Sequence, residues 1–364
     1  MTKPVFRRQE KQLLSSIAHV IPQLGRDVDE IIEVKPLLGR NISGQITFEG
    51  SRTVFIKRMT GLGAVDRYTR SVSFHDAIDV SDAPAHTATP ALLARDNDSH
   101  TVVYEFIDDA VSAGQLLRDD DIDFATLERV GRCVAGLHCL PVRDASVTDH
   151  TTPFFPPHGP NAISTQMYYG STMGQLDMWR IIQSDSGLRA ALDQLATTST
   201  PKVPIHGDLR GDQILLAGET NWILDWEDFR LQDGARDVGA LMGEVFYHRM
   251  RKSLASFAGG DEESVTDTEI IERGTTALAE ATPGARAVWD AYRAVRADAA
   301  DPEFVARSVQ YFGWQLFDRA LAAGTYFGRL SALDRALAGI GREAILGGGD
   351  YAEALGMTEG RVAA

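Results

Sequence analysis

Cysteine is scarce. The 364 residues hold two, Cys133 and Cys139, six positions apart in one helical segment. That spacing turns them to different sides of a helix and offers no third or fourth ligand. A disulfide framework and a cysteine-built metal site are therefore excluded, which leaves reduced packing residues. Positive charge is short as well: 36 Lys and Arg stand against 51 Asp and Glu, a formal net charge of -15. Nucleic acid and anionic membrane both need clustered cations, so neither is an expected partner, while a cationic acceptor is compatible. Long apolar runs are also missing. The opening MTKPVFRRQEKQLLSSIAHVIPQ has no uninterrupted apolar core of signal-peptide length, and no later stretch could span a bilayer, so the default location is the cytoplasm. What remains is a chain with 44% hydrophobic residues, enough to bury a large core in two domains or in one enzyme of two lobes.

Periodicity divides the chain. Leu13, Ile17, Val20 and Ile21 recur at helical spacing and predict a helix over residues 5–24, interrupted by Pro22. From Ile31 the pattern changes to strands, IIEVKPLL, QITFEG and TVFIKRM, separated by turns rich in Gly, Asn and Ser, which reads as an antiparallel sheet. A helix is expected from Val65 to Ile78 and a further strand from Thr101 to Ile107, after which the polar run DDAVSAG marks the expected lobe boundary. The division is thus 1–107 and 108–364. Beyond it the chain is mainly helical, with Leu127, Val130, Val134 and Leu137 on one stripe. Residues 141–170 break the periodicity with several prolines and the pairs Phe154-Phe155 and Tyr168-Tyr169; a loop of this length is usually functional or mobile.

Two short strands, QILLAG and NWILDW, predict a hairpin around Glu219-Thr220. Antiparallel pairing of Ile214–Leu216 with Trp222–Leu224 brings the outer ends together, so Gln213 and Asp225 become neighbours, with Asp208 on the entering loop. An amide and two aspartates then converge at one end of a small sheet. Oxygen donors are what Mg2+ prefers, commonly one or two carboxylates with phosphate oxygens and water completing the octahedron.

The order HGDLRGDQ (His206 to Gln213), hairpin, LDWED resembles the catalytic loop and metal-binding aspartate of protein kinases. In detail it is similar to the aminoglycoside phosphotransferase and choline kinase branch, whose loop reads HGDxxxxN and whose metal aspartate sits in a DW(E/D) segment; GLH at Gly136 to His138 also fits. The resemblance extends over about Lys57 to Asp237. It implies an α+β, two-lobed protein-kinase-like fold with an antiparallel-sheet N-lobe and a mainly helical C-lobe, and an ATP- and Mg2+-dependent kinase acting on a hydroxyl. Asp208 is then expected to accept the proton of the attacking hydroxyl, Asp225 and Gln213 to hold the metal, and His206 to fix the loop. Arg210 is expected either to neutralise charge on the transferred group or to pair with Asp212 on the surface. Lys57 is expected on the α- and β-phosphates, the alternative being an exposed strand end. The turn GRNISG, with Arg40, Asn41, Ser43 and Gly44, approaches the phosphates, and Glu105, Phe106 and Ile107 stand where the backbone would hold adenine.

Two departures touch this site. Gln213 replaces the family's asparagine, and the helix after Lys57 lacks the expected ion-pair glutamate: Ser71 stands near its position, with Asp66 and Asp76 as nearby acids. The run DWEDFRLQDGARDVGALMGE, with HGDLRGDQILL and LLGRN, further resembles the kinase-like subunits of class V lanthipeptide and thioamitide synthetases. That implies Ser or Thr of a ribosomally made precursor peptide as acceptor, with a separate lyase as partner. The alternatives are a kinase of a small hydroxylated molecule, such as an antibiotic or metabolite, and a non-catalytic nucleotide-binding subunit. Phe312, Trp314, Phe317, Tyr326 and Phe327 suit an apolar acceptor or a helical core.

Overall fold

A computed structural model describes residues 8–50, 52–81, 87–147, 159–198, 200–255 and 267–358. The described residues open with α1 (Arg8–Ile17), which ends well short of the predicted residue 24, and a 3-10 turn at Ile21–Leu24 with Pro22 in its first positions and Gly25 closing it in a left-handed conformation. Strands β1 (Ile31–Leu37), β2 (Ile42–Phe48) and β3 (Thr53–Arg58) follow, then helix α2 (Ala64–Ala77), β4 (Thr87–Ala88), β5 (Leu92–Asp96) and β6 (Thr101–Glu105). Five of these strands form one antiparallel sheet in the order β1-β2-β3-β6-β5. Alternation sorts its faces. Ile46, Phe48, Val54, Ile56 and Val103 pack with Leu13 and Ile21 on the side covered by α1. Lys57 and its cross-strand partner Ser43 belong to the other side, which faces the cleft. Gly44 serves packing: a Cβ there would lie 2.6 Å from both Leu13 and the Lys35 carbonyl oxygen.

The chain continues with β7 (Val111–Ser112), α3 (Ala113–Asp119) and α4 (Phe124–Leu137). The predicted stripe of α4 is buried, with Leu127, Val130, Val134 and Leu137 each at most 1% exposed. Helices α5 (Thr165–Gly170), α6 (Met173–Ser184) and α7 (Ser186–Thr197) precede β8 (Val203–Ile205), the hairpin β9 (Ile214–Ala217) and β10 (Thr220–Ile223), and β11 (Arg230–Gln232). The rest is helical: α8 (Ala235–Ala255), α9 (Asp267–Val295), α10 (Pro302–Phe327), α11 (Ala332–Gly347) and α12 (Gly349–Ala354). Among the described residues no helix is long and apolar enough to cross a membrane.

Several expectations need correcting. Cys133 is buried, and desolvation pushes its thiol up to about 12, but Cys139 is exposed rather than a packing residue. The hairpin turns at Gly218-Glu219, one residue earlier than predicted, because Ala217 pairs with Thr220 and Gly218 takes a left-handed φ of 57°. The aromatic stripe divides: Phe312, Trp314 and Phe317 are core, whereas Tyr326 and Phe327 are exposed at the end of α10. Phe154 and Phe155 lie outside the described residues.

Candidate active site

The loop from His206 to Gln213 is held by a buried carboxylate that sequence reasoning missed. Asp237, in the first turn of α8, accepts hydrogen bonds from His206 N at 2.6 Å and Gly207 N at 3.0 Å, and His138 Nε2 lies 3.3 Å away. Burial opposes its ionisation, but the hydrogen bond and charge of His138, with His206 and Gly207, outweigh that and hold its pKa below the ordinary value. Asp237 thus fixes the backbone that carries Asp208, and His138 of the GLH segment serves the same anchor. The available signal was slight: a single Arg236-Asp237-Val238 run at the start of a helical stretch. His206 is structural, as expected: its Nε2 donates to Leu224 O at 2.7 Å and its Nδ1 lies 3.3 Å from Asp208 N. Gly207 adopts φ 87°, and a Cβ there would collide with the Asp228 carbonyl oxygen.

Asp208 keeps about half of its side-chain surface open, with Arg210 NH2 3.2 Å from its carboxylate. The expected alternative partner of Arg210, Asp212, is taken by Arg118 at 2.9 Å. Arg210 instead meets its own loop's aspartate, Asp208. Surrounding protein desolvates Asp208 and pushes its pKa up, with the Asp318 and Asp228 carboxylates adding to this and Arg210 and His206 opposing it.

The hairpin delivers the second aspartate. Leu224 N donates to Gln213 O at 2.9 Å, which extends the ladder past Ile214 and Ile223 and puts Asp225 beside Gln213 on one cleft wall. Asp225 has φ 68°, ψ 64°, a conformation uncommon outside glycine and of the kind retained at functional sites. Trp226 behind it is locked between Phe74, stacked at 3.5 Å between centroids, and a 2.8 Å hydrogen bond from its Nε1 to Thr89. Gln213 is buried, and its Oε1 accepts from Arg210 N at 2.7 Å, so its amide oxygen already braces the loop.

Lys57 reaches across from β3. Its Nζ lies 2.6 Å from Asp225 Oδ1 and 2.5 Å from Glu227 Oε1, with 12% of the side chain exposed. The exposed-strand-end alternative is thereby excluded. Burial works against the Asp225 carboxylate, but Lys57, His206 and Arg210 overcome it and keep its pKa below the ordinary value. In α2, Asp66 is exposed, Asp76 pairs with Arg95 at 2.8 Å, and Ser71 lines the cleft while its Oγ donates to Arg67 O. Among the described residues the carboxylates that hold Lys57 therefore both come from the segment after the hairpin.

One cleft collects these groups. Lys57, Asp225 and Gln213 line its polar end, and Phe55, Met59, Tyr104, Phe106, Ile107 and Leu215 its apolar end, with Glu105 at the rim. Arg40 and Asn41 of the first turn contact Glu227 at 2.7 and 2.5 Å. Charged side chains at one end and a flat apolar slot at the other suit a ligand with an anionic tail and an aromatic head.

The sequence matches the profile of the phosphotransferase enzyme family over residues 54–265. No curated protein matches the chain. A glucosamine kinase, solved with glucosamine, ADP and inorganic phosphate, superposes with a TM-score of 0.51 at 15% identity, covering 93% of this chain and 86% of that one. A choline/ethanolamine kinase family protein from Mesorhizobium loti gives 0.45 at 16% identity, covering 93% and 99%. An amicoumacin kinase in complex with AMP-PNP and Ca2+ gives 0.48 at 14%, covering 93% of each chain. At these identities the likeness concerns the two-lobed kinase fold. The family profile takes in more than half of the chain, including Lys57, the loop at Asp208 and the hairpin end at Asp225, and the chain belongs to the phosphotransferase enzyme family.

Proposed function

We propose that this phosphotransferase moves the γ-phosphoryl group of ATP to a hydroxyl, with Asp208 as general base and with Mg2+ held by Asp225 and Gln213. The observation that carries this is the meeting of Lys57 and Asp225 at the polar end of a cleft whose far end is apolar, with Arg210, the partner of Asp208, also acting on Asp225. Magnesium fits the donor set, since both side chains offer hard oxygens. When bound, the ion would neutralise phosphate charge. Lys57 orients the phosphates, Arg210 lies where charge develops on the transferred group, and the Asp208 carboxylate accepts the hydroxyl proton. Gln213→Asn is expected to keep activity within about tenfold, ~1.4 kcal/mol in the barrier, because it exchanges a single loop hydrogen bond and retains an amide oxygen. Complete loss of turnover would mean that the longer side chain is required.

For the acceptor, the reading is a Ser or Thr of a ribosomally made precursor peptide. An exposed apolar patch of Tyr168, Tyr169, Met173, Tyr326 and Phe327 supports it. The patch is continuous because Thr172 Oγ1 donates to Gly324 O at 2.7 Å and Gly174 N donates to Gly328 O at 2.9 Å, tying the start of α6 to the end of α10. Asp318, whose charge acts on Asp208, precedes Tyr326 by two turns of α10, about 12 Å. An extended peptide covers that distance in about four residues, so a Ser at Asp208 would lay apolar neighbours on the patch. The product would be a phosphoester suited to elimination by a separate lyase. A small cationic acceptor is the second reading, favoured by the carboxylates of Asp208, Asp228 and Asp318 around the hydroxyl position.

Incubation with ATP, Mg2+ and both acceptor classes, without any lyase, separates the two. Mass spectrometry should find a gain of about 80 Da, one phosphoryl group, on the Ser/Thr peptide. The gain on the small molecule alone would make the second reading the better one.

A further inference from the structure

The resemblance implies a glutamate in α2 as the partner of Lys57, and α2 supplies arginines instead. Arg67 Nε lies 3.1 Å from Glu227 Oε2, while its NH1 and NH2 donate to Leu62 O at 2.8 Å and Thr60 O at 2.7 Å. Arg70 Nε donates to the Glu227 carbonyl oxygen at 2.5 Å. The same carboxylate receives Arg40 at 2.7 Å, Asn41 at 2.5 Å and Lys57 at 2.5 Å. Glu227 and Arg67 keep only 6% and 7% of their side-chain surface.

We infer that Glu227 is the positioning residue of Lys57, in place of the absent helix acid, and that it couples lobe closure to readiness for nucleotide. The inference rests on the phosphotransfer reading above. A Lys–Glu pair within the sheet-bearing lobe would survive opening of the cleft. Here the carboxylate sits at the end of the hairpin, two residues after Asp225, and its cationic and amide partners come from the β1–β2 turn, β3 and α2. Opening the cleft therefore releases Lys57, and closing it aims the lysine and assembles the first turn in one event. Lys57 also shares its charge with Asp225, so a second carboxylate is needed to keep the ammonium in place when Asp225 turns to a metal.

Hydrogen–deuterium exchange without nucleotide, together with steady-state kinetics, tests this. Glu227→Gln should raise exchange in Gly39–Thr60 and α2 and raise the ATP KM about tenfold or more, with a smaller change in kcat. Glu227→Asp should recover part of both. Ser71→Glu added to Glu227→Gln restores an acid on the cleft face of α2 and should lower the ATP KM again without restoring the exchange protection. Asp66→Asn and Asp76→Asn should match the parent. Unchanged exchange and unchanged KM in Glu227→Gln would overturn the inference, as would a raised KM in Asp66→Asn or Asp76→Asn. The exchange arm needs no nucleotide. It therefore reads the clamp separately from the phosphotransfer reading, which fails if the parent protein turns over no ATP.

Discussion

Replacing Asp208 with asparagine is expected to slow phosphoryl transfer about 10²–10⁴-fold, the usual contribution of a positioned general base, while ATP affinity stays within about twofold. The amide has nearly the carboxylate's shape, and the loop holding it depends on Asp237 and His206 rather than on the Asp208 side chain. What is lost is the acceptor of the hydroxyl proton. The same assignment fixes a pH dependence. On that assignment Asp208 works ionised, and its pKa is raised by desolvation and by the Asp318 and Asp228 carboxylates. The acid limb of kcat/KM should therefore lie above the ordinary carboxylate value of 3.8, with activity lost as pH falls through it. Asp318→Asn removes one of the raising charges and should move that limb to lower pH. A limb displaced the other way would contradict the placement of Asp318 beside the base.

Asp225→Asn should remove the magnesium dependence of nucleotide binding and weaken affinity for an ATP analogue by about tenfold or more, ~1.4 kcal/mol or above. The asparagine retains one oxygen and the hairpin geometry but brings no charge. The left-handed backbone at this position tolerates Asn as well as any residue but glycine, so misfolding does not explain the loss. Lys57 keeps Glu227 as a partner and remains in the cleft. Calorimetric titration with and without Mg2+ separates the effects, and a magnesium response equal to the parent's would remove the metal assignment.

Much of this site could be read locally. Asp208, Gln213 and Asp225 follow from a short motif and from hairpin pairing, which forces its outer ends together whatever the rest of the chain does. The α4 stripe and strands β1 to β3 declared themselves by periodicity. Strand β5 did not: LLARD is too short and lacks both alternation and β-branched residues, and it exists because β6 offers it an edge. The partner of Lys57 was illegible for a different reason. Glu227 stands far along the chain, and only the stacking of Phe74 on Trp226, which docks α2 against the end of the hairpin, brings it to the lysine. Sequence reasoning searched for an acid in α2 because the resemblance implied one there, and it did not single out Arg67 and Arg70. Arg210 likewise found Asp208 because Arg118 of α3 had claimed Asp212.

The central claim is that Asp208 and Asp225 serve one transfer from ATP to a hydroxyl, and single-turnover mass spectrometry tests it most directly. Parent protein, Asp208→Asn and Asp225→Asn would each be incubated with ATP, Mg2+ and the mixed acceptors. The account predicts a gain of about 80 Da, one phosphoryl group, on a hydroxyl acceptor with the parent protein, a gain slowed about 10²–10⁴-fold with Asp208→Asn, and little with Asp225→Asn even when that variant is nearly saturated with nucleotide. An acceptor phosphorylated by Asp208→Asn at the parent rate, or ATP turned over by the parent with no acceptor gaining mass, would contradict it.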